Sequence, residues 1–279
     1  MKRLGAFVVS IVLGAGGAEA QQRPLVTQDP ESIAAESFRF ETGTSYARRV
    51  RFPVSGLSGH LTTGPAVGVS VGVGGVAEFQ ITHISMMRLD IVDREPPLGP
   101  NPVTVLGNRT SSFDDIIVGA KMRLLSERRR RPSLGIHFST KLPNASTESG
   151  LGLDVFDFQN SLLIGKSIGA IRLVGNLGLG ILSDPTRVAR QNDVIVYGVS
   201  LTSMAGAVEV VAEVNGRQNT RVQRVPLGTS SSAHVVAGLR FGRGAWRIDA
   251  AAVFGVFSDD PGVGVMGGLT WFWPGFKTT

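Results

Sequence analysis

From Phe38 to Trp273 the chain repeats one unit: about ten residues of alternating character, a tight turn, about ten more, then a longer connection. A β-strand crossing a bilayer at a tilt needs roughly 9–11 residues. Short connections on one rim and longer ones on the other are the plan of a transmembrane β-barrel. Successive strand side chains point to opposite faces. The period is cleanest at Val67, Val69, Val71 and Val73, set against Gly68, Ser70 and Gly72.

The same reading runs along the chain. Phe38, Phe40, Thr42, Thr44 and Tyr46 form an outward face, with a loop over Arg48–Leu57. Val76–Leu89 returns with Phe79, Ile81, Met87 and Leu89 on one face, which His83 and Ser85 interrupt. Asp90–Ser111, Leu142–Val155, Ser183–Asn192 and Asn219–Ser231 read as long loops. Gly74-Gly75, Ser126–Arg131, Gly169-Ala170, Ala205-Gly206 and Gly242–Gly244 read as tight turns. The expected fold is all-β, an up-and-down antiparallel barrel of about twelve strands. An even number puts both termini on the periplasmic side. A soluble β-sandwich also alternates, but it buries one apolar face. Here the polar face is rich in charge and glycine, as a lumen is, and Trp246, Trp271 and Trp273 suit an interfacial girdle.

Met1-Lys2-Arg3, an apolar Leu4–Gly14 and Ala18-Glu19-Ala20 occur in the order of a secretory signal peptide. The expected organisation is a signal peptide over 1–20, a polar periplasmic lead-in over 21–33 and a barrel over 34–279. No later run reaches the 18 apolar residues of a spanning helix. With no cysteine there is neither a disulfide framework nor a thiolate metal site. The net charge is +6, and loss of two cations and one anion with the signal leaves +5. That charge is spread along the chain, which argues against a nucleic-acid partner.

The expected lumen lining carries both signs: Arg39, Glu41, Asp115, Lys121, Arg123, His137, Asp157, Arg172, Glu209, Glu213, Arg240, Arg247 and Asp249, with Glu78, Arg88 and Arg217 beside them. Paired, these charges knit the interior shut. Opposed across a gap, they line a narrow aqueous path. The many lumen glycines leave room for the second arrangement.

Val263–Trp273 resembles the C-terminal sorting strand of bacterial outer-membrane barrels, which implies recognition by the barrel-assembly machinery. It departs from that pattern by running on to Thr279. More widely the chain resembles an outer-membrane family associated with phenol meta-pathway degradation. The resemblance is carried by Thr140-Lys141-Leu142-Pro143, Gly150–Asp154, Phe156-Asp157-Phe158, Asn176-Leu177-Gly178 and Asp260-Pro261-Gly262. It implies outer-membrane lipids as surroundings and passive transport of small apolar or aromatic solutes, with no cofactor and no catalytic residue.

Enzyme-like patterns have plainer readings. Gly68-Val69-Ser70-Val71-Gly72 matches a hydrolase elbow, which needs a helix that does not follow. His137-Phe138-Ser139 resembles the His-x-Ser pair of outer-membrane phospholipase A, yet Leu134, Ile136 and Phe138 claim the lipid face and turn His137 and Ser139 inward. Gly165-Lys166-Ser167 lacks the upstream glycine of a phosphate loop, and Ser126–Arg131 lacks interleaved aromatics. His60, His83, His137 and His234 show no ligand spacing, so no metal is expected there. Asp259-Asp260 with Asp184 or Asp193 could hold calcium, but turn chemistry accounts for them equally.

Overall fold

The computed structural model describes residues 23–99, 103–187, 190–221 and 225–275. The expected signal peptide and the terminal Phe276–Thr279 lie outside them. The strands are β1 (Phe38–Phe52), β2 (Leu57–Val73), β3 (Ala77–Ile84), β4 (Met86–Arg94), β5 (Arg109–Phe113), β6 (Ile117–Leu125), β7 (Ser133–Lys141), β8 (Asp157–Ile168), β9 (Ile171–Ser183), β10 (Gln191–Ala205), β11 (Val208–Asn219), β12 (Ser232–Arg243), β13 (Trp246–Gly255) and β14 (Val263–Trp273).

All pairings are antiparallel, and β1 pairs with both β2 and β14, so the sheet closes on itself. β3 and β4 pair with successive halves of β2 and form one stave. β6 and β5 pair with β3 and β4 and form the next. The fourteen elements are therefore twelve barrel strands. Closure leaves no edge, which a strand needs in hydrocarbon, where nothing else satisfies its backbone.

The paired break has a local cause. His83 takes φ 63°. The Ser85 hydroxyl donates to Asp114 Oδ2 at 3.2 Å, and the Asp114 N–H donates to the Ser85 carbonyl at 3.0 Å. A one-residue slip exchanges the faces of a strand. Below the break Phe79 and Ile81 face out; above it Met87 and Leu89 are buried and Arg88 is exposed. The single face expected for Phe79, Ile81, Met87 and Leu89 is thus two faces, and Arg88 leaves the lumen list.

Strands also run further than expected on the long-loop side. β1 continues to Phe52 and β2 starts at Leu57, leaving 53–56 as the connection. β4 continues to Arg94, β5 starts at Arg109 and β10 at Gln191. Beyond the hydrocarbon the outer wall meets water, so its residues need not be apolar and the period fades from the sequence.

The outer wall is apolar and open: Phe79, Met122, Phe138, Phe158, Leu162, Leu177, Val199, Leu239, Ile248 and Phe254 are all exposed. A water-soluble protein rarely shows so continuous an apolar surface, whereas a bilayer requires it. Trp246 stacks on Trp271 (5.5 Å), Phe40 on Trp271 (5.4 Å) and Phe38 on Trp273 (5.2 Å), at the rim that also holds the short turns. This is the aromatic girdle of an outer-membrane barrel. At the opposite mouth the 142–156 loop folds inward. Ala145 and Leu151 pack with Leu57, Met87 and Leu89, and the Ser146 N–H donates to Ser112 Oγ at 2.8 Å.

Candidate functional site

The lumen contains a second chain segment. Residues 23–33, expected as a periplasmic lead-in, lie inside the barrel, and 34–37 join them to β1. Arg23 reaches Asp249 on β13 (3.6 Å) and the Gly267 carbonyl on β14 (3.1 Å). Leu25 packs on Val211, Val236 and Ala251. The N–H groups of Val26 and Thr27, and the Thr27 hydroxyl, donate to Glu213 on β11. Gln28 exchanges hydrogen bonds with Asn176 on β9, its N–H to Oδ1 at 2.6 Å and Nδ2 to its carbonyl at 2.8 Å. Asp29 meets Arg172, Glu31 meets Arg123 at 2.6 Å, and the Ile33 N–H meets Glu78 at 3.3 Å. Glu36 and Ser37 pair with Gly72 on β2.

The contacts pass the strands in order from β14 back round to β2, so the segment is a belt around the inner wall. Its length fits. At roughly 3.3–3.6 Å per residue, 23–37 reaches ~50 Å. Twelve strands ~4.8 Å apart, tilted by about 40°, make a wall ~75 Å round, and a path about 5 Å inside it is ~45 Å long. Glycine makes the space. A Cβ at Gly72 would lie 2.1 Å from the Ala34 carbonyl oxygen, and one at Gly198 2.6 Å from Thr27 Oγ1.

The belt bonds directly to Glu41, Arg123, Arg172, Glu213, Arg240 and Asp249 among the charges expected in the lumen, and others pair along the wall. Arg39 is fully buried, with Nη2 2.8 Å from both Glu78 Oε1 and Ser70 Oγ and Nε 3.2 Å from Glu41. Lys121 Nζ lies 3.3 Å from the other Glu78 oxygen. Arg240 binds Glu209 at 3.2 Å and the Arg23 carbonyl at 2.7 Å. These buried charges are viable because each has partners. Arg247 lies over the Phe272 ring at 5.6 Å, beside the short turns. Asp115 and Asp157 sit at the other mouth, bridged by Lys141 at 3.2 and 2.9 Å; Asp115 also accepts the N–H groups of Asn144 and Ala145 and pins the inward loop.

Between belt and mouth lies a cavity of about 360 Å³. Amides, hydroxyls and imidazoles line it: Gln80, Gln159, Asn176, Asn215, Thr82, Ser139, Ser161, Ser232, His83, His137 and His234, with Arg217 and no carboxylate among the described lining residues. His137 Nε2 and Asn215 Nδ2 are buried there without a protein partner. His137 and Ser139 share this wall, and Phe138 between them is exposed on the outer one. The candidate calcium aspartates are used by turns: Asp260 Oδ2 accepts the N–H groups of Ala233 and Phe257, each at 3.0 Å, Asp184 accepts from Thr186, and Asp259 pairs with Arg51. Among the described residues no group of three His, Asp or Glu is placed to hold a metal ion.

Missed from the sequence were Thr27, Gln28, Asp29 and Glu31 of the belt, together with Gln80, Asn176 and Lys141. The belt has no period. Its one clue was two carboxylates in a segment facing a lumen richer in arginine.

No family profile and no curated protein matches the chain. Solved structures do. An outer membrane channel from Pseudomonas putida F1 superposes with a TM-score of 0.61 at 10% identity, over 88% of this chain and 98% of that one. The NanC porin gives 0.50 at 7%, over 84% and 98%. The translocator domain of the autotransporter NalP from Neisseria meningitidis gives 0.49 at 14%, over 84% and 88%. At 7–10% identity the likeness to the channel and the porin is one of fold, and with the lipid-facing wall and girdle it makes the chain a bacterial outer-membrane β-barrel.

Proposed function

We propose that this barrel passes or binds small solutes passively, without cofactor or catalysis. The observation that carries the reading is the polar cavity above the belt, walled by amides, hydroxyls and imidazoles with no carboxylate among the described lining residues. A solute carrying hydroxyl or carbonyl groups would find both donors and acceptors on that wall. Two structural neighbours, one an outer membrane channel and one a porin, support the reading. So does the resemblance to the phenol meta-pathway family, which points to aromatic compounds; a hydroxylated ring suits this lining better than a bare hydrocarbon. The barrel-assembly machinery would take β14 as the sorting strand, and membrane lipids would cover the outer wall.

The test is purified protein in planar bilayers, together with solute uptake by liposomes. Absence of both conductance and uptake would favour a second reading, a closed structural or surface-binding barrel, for which the belt's dense ion pairing argues. A lipid hydrolase using His137 and Ser139 is the weaker idea, because both face the cavity and not acyl chains.

A further inference from the structure

The periplasmic rim is anchored unevenly. Stacked aromatics cover it on β13, β14 and β1. The β6–β7 rim lies nearly opposite in strand order, and between Leu124 and Leu134 it has no aromatic residue. It carries Arg128-Arg129-Arg130-Arg131 instead. Arg128 and Arg131 exchange backbone hydrogen bonds at 2.9 and 3.1 Å, so Arg129 and Arg130 stand at the tip of an ordered turn.

The turn's cations are not neutralised by its own carboxylate. Glu127 is committed elsewhere: to Lys166 Nζ at 3.0 Å, to the Ser167 N–H at 2.8 Å and to Arg172. Burial pushes its carboxyl up, but the Ser167 and Lys166 hydrogen bonds and the Arg172 charge outweigh this and hold it below the usual range. Arg128, Arg129 and Arg130 are all exposed. Beside the turn the outer wall is apolar, with Leu124 and Leu125 exposed on β6 and Ile168 exposed at the end of neighbouring β8. Three open guanidinium groups therefore stand where the hydrocarbon ends. Guanidinium matches phosphate oxygens with paired hydrogen bonds, and a basic segment is attracted to an anionic leaflet within about a Debye length, ~8 Å. A free phosphate would have no use for the apolar row; a phospholipid uses both.

We propose that the Arg128–Arg131 turn is a binding site for anionic phospholipids of the periplasmic leaflet. The phosphate is held by the arginines, and the acyl chains lie on Leu124, Leu125 and Ile168. The site anchors the barrel opposite its aromatic face and is independent of solute passage.

The experiment compares full-length wild type with R128Q/R129Q/R130Q, each reconstituted in phosphatidylethanolamine with minor fractions of phosphatidylglycerol and phosphatidylcholine of matched chains. Native mass spectrometry then counts retained lipids. Wild type should enrich phosphatidylglycerol over phosphatidylcholine at least about tenfold, as expected for a few basic residues at an anionic surface. The variant should fall to parity while keeping the heat-modifiable migration of a folded barrel. Arg243→Gln, on the aromatic side, should leave enrichment intact. Glycerol phosphate without chains should displace the lipid poorly. No enrichment in wild type, undiminished enrichment in the variant, or equal loss in Arg243→Gln would overturn the proposal. Displacement by glycerol phosphate at matched concentration would overturn the role given to the apolar row.

Discussion

Arg172 on β9 grips Asp29 of the belt through two hydrogen bonds, Nε to Oδ2 at 2.8 Å and Nη2 to Oδ1 at 2.6 Å. Paired geometry of this kind fixes orientation as well as charge. It holds the middle of a segment that otherwise lacks secondary structure. Hydrogen bonds to charged groups contribute about 1.5–3 kcal/mol each. Arg172→Ser should therefore raise hydrogen exchange over 23–33 by roughly tenfold or more, while strand amides stay protected. Unchanged exchange in the belt would show that the pair is not what holds it.

Space is the second determinant. Val at Gly198 or Gly72 would place atoms where Thr27 and Ala34 now lie. Either change should loosen the belt, read as faster proteolysis between Arg23 and Ser37, yet leave the barrel folded because Gly198 stays paired with Asn176 on β9 and Gly72 with Glu78 on β3.

Glu78 is the hinge of the buried charge network, serving Arg39 and Lys121 at once. Glu78→Gln would leave Arg39 its pair with Glu41 but take from buried Lys121 the carboxylate it pairs with, a loss of about 3–5 kcal/mol when a buried pair is broken. The urea midpoint of folding should fall, and Glu78→Gln with Lys121→Met should recover part of it.

Asp260 supplies a pH dependence outside the membrane. Burial pushes its carboxyl up, but the N–H groups of Ala233 and Phe257 hold it below the ordinary range. A depressed folded value means that its stabilisation is fully present above the unfolded value of about 3.9 and is lost as pH falls through the lower folded one. Exchange in the 256–262 loop should rise over that acidic window, and Asp260→Asn should abolish the pH step.

The faces of β7 give a further check. Ile136→Arg sets a charge against lipid and should cost about 2–4 kcal/mol near the midplane. Ser139→Ala, on the cavity wall, should leave folding and any lipid-hydrolysing background unchanged. Hydrolysis abolished by the serine change would mean that the strand faces had been exchanged.

The barrel was legible because lipid imposes period two wherever a strand crosses it, as at Val67–Val73 and Ile171–Ile181. It faded where lipid stops: the ends of β1, β4 and β10 are ordinary solvated sheet. The Ser85 break appeared in the sequence only as two polar residues on an apolar face, and the exchange of faces beyond it did not appear at all. Inward charges such as Arg39, Glu41 and Glu213 could be named from alternation, but their partners depend on register and on a belt without period. Nothing in the order Gln28-Asp29-Pro30-Glu31 says that Arg172 and Arg123 wait inside.

On the proposed solute-passing reading, the belt narrows the lumen below the cavity. Single-channel current in planar bilayers tests it, comparing wild type with the chain in which Arg123→Ser and Arg172→Ser together release Glu31 and Asp29. Wild type should give small, quiet currents and the double variant larger, fluctuating ones. Currents equal in size and noise, from variant protein whose 23–33 segment is demonstrably loosened by proteolysis, would contradict it.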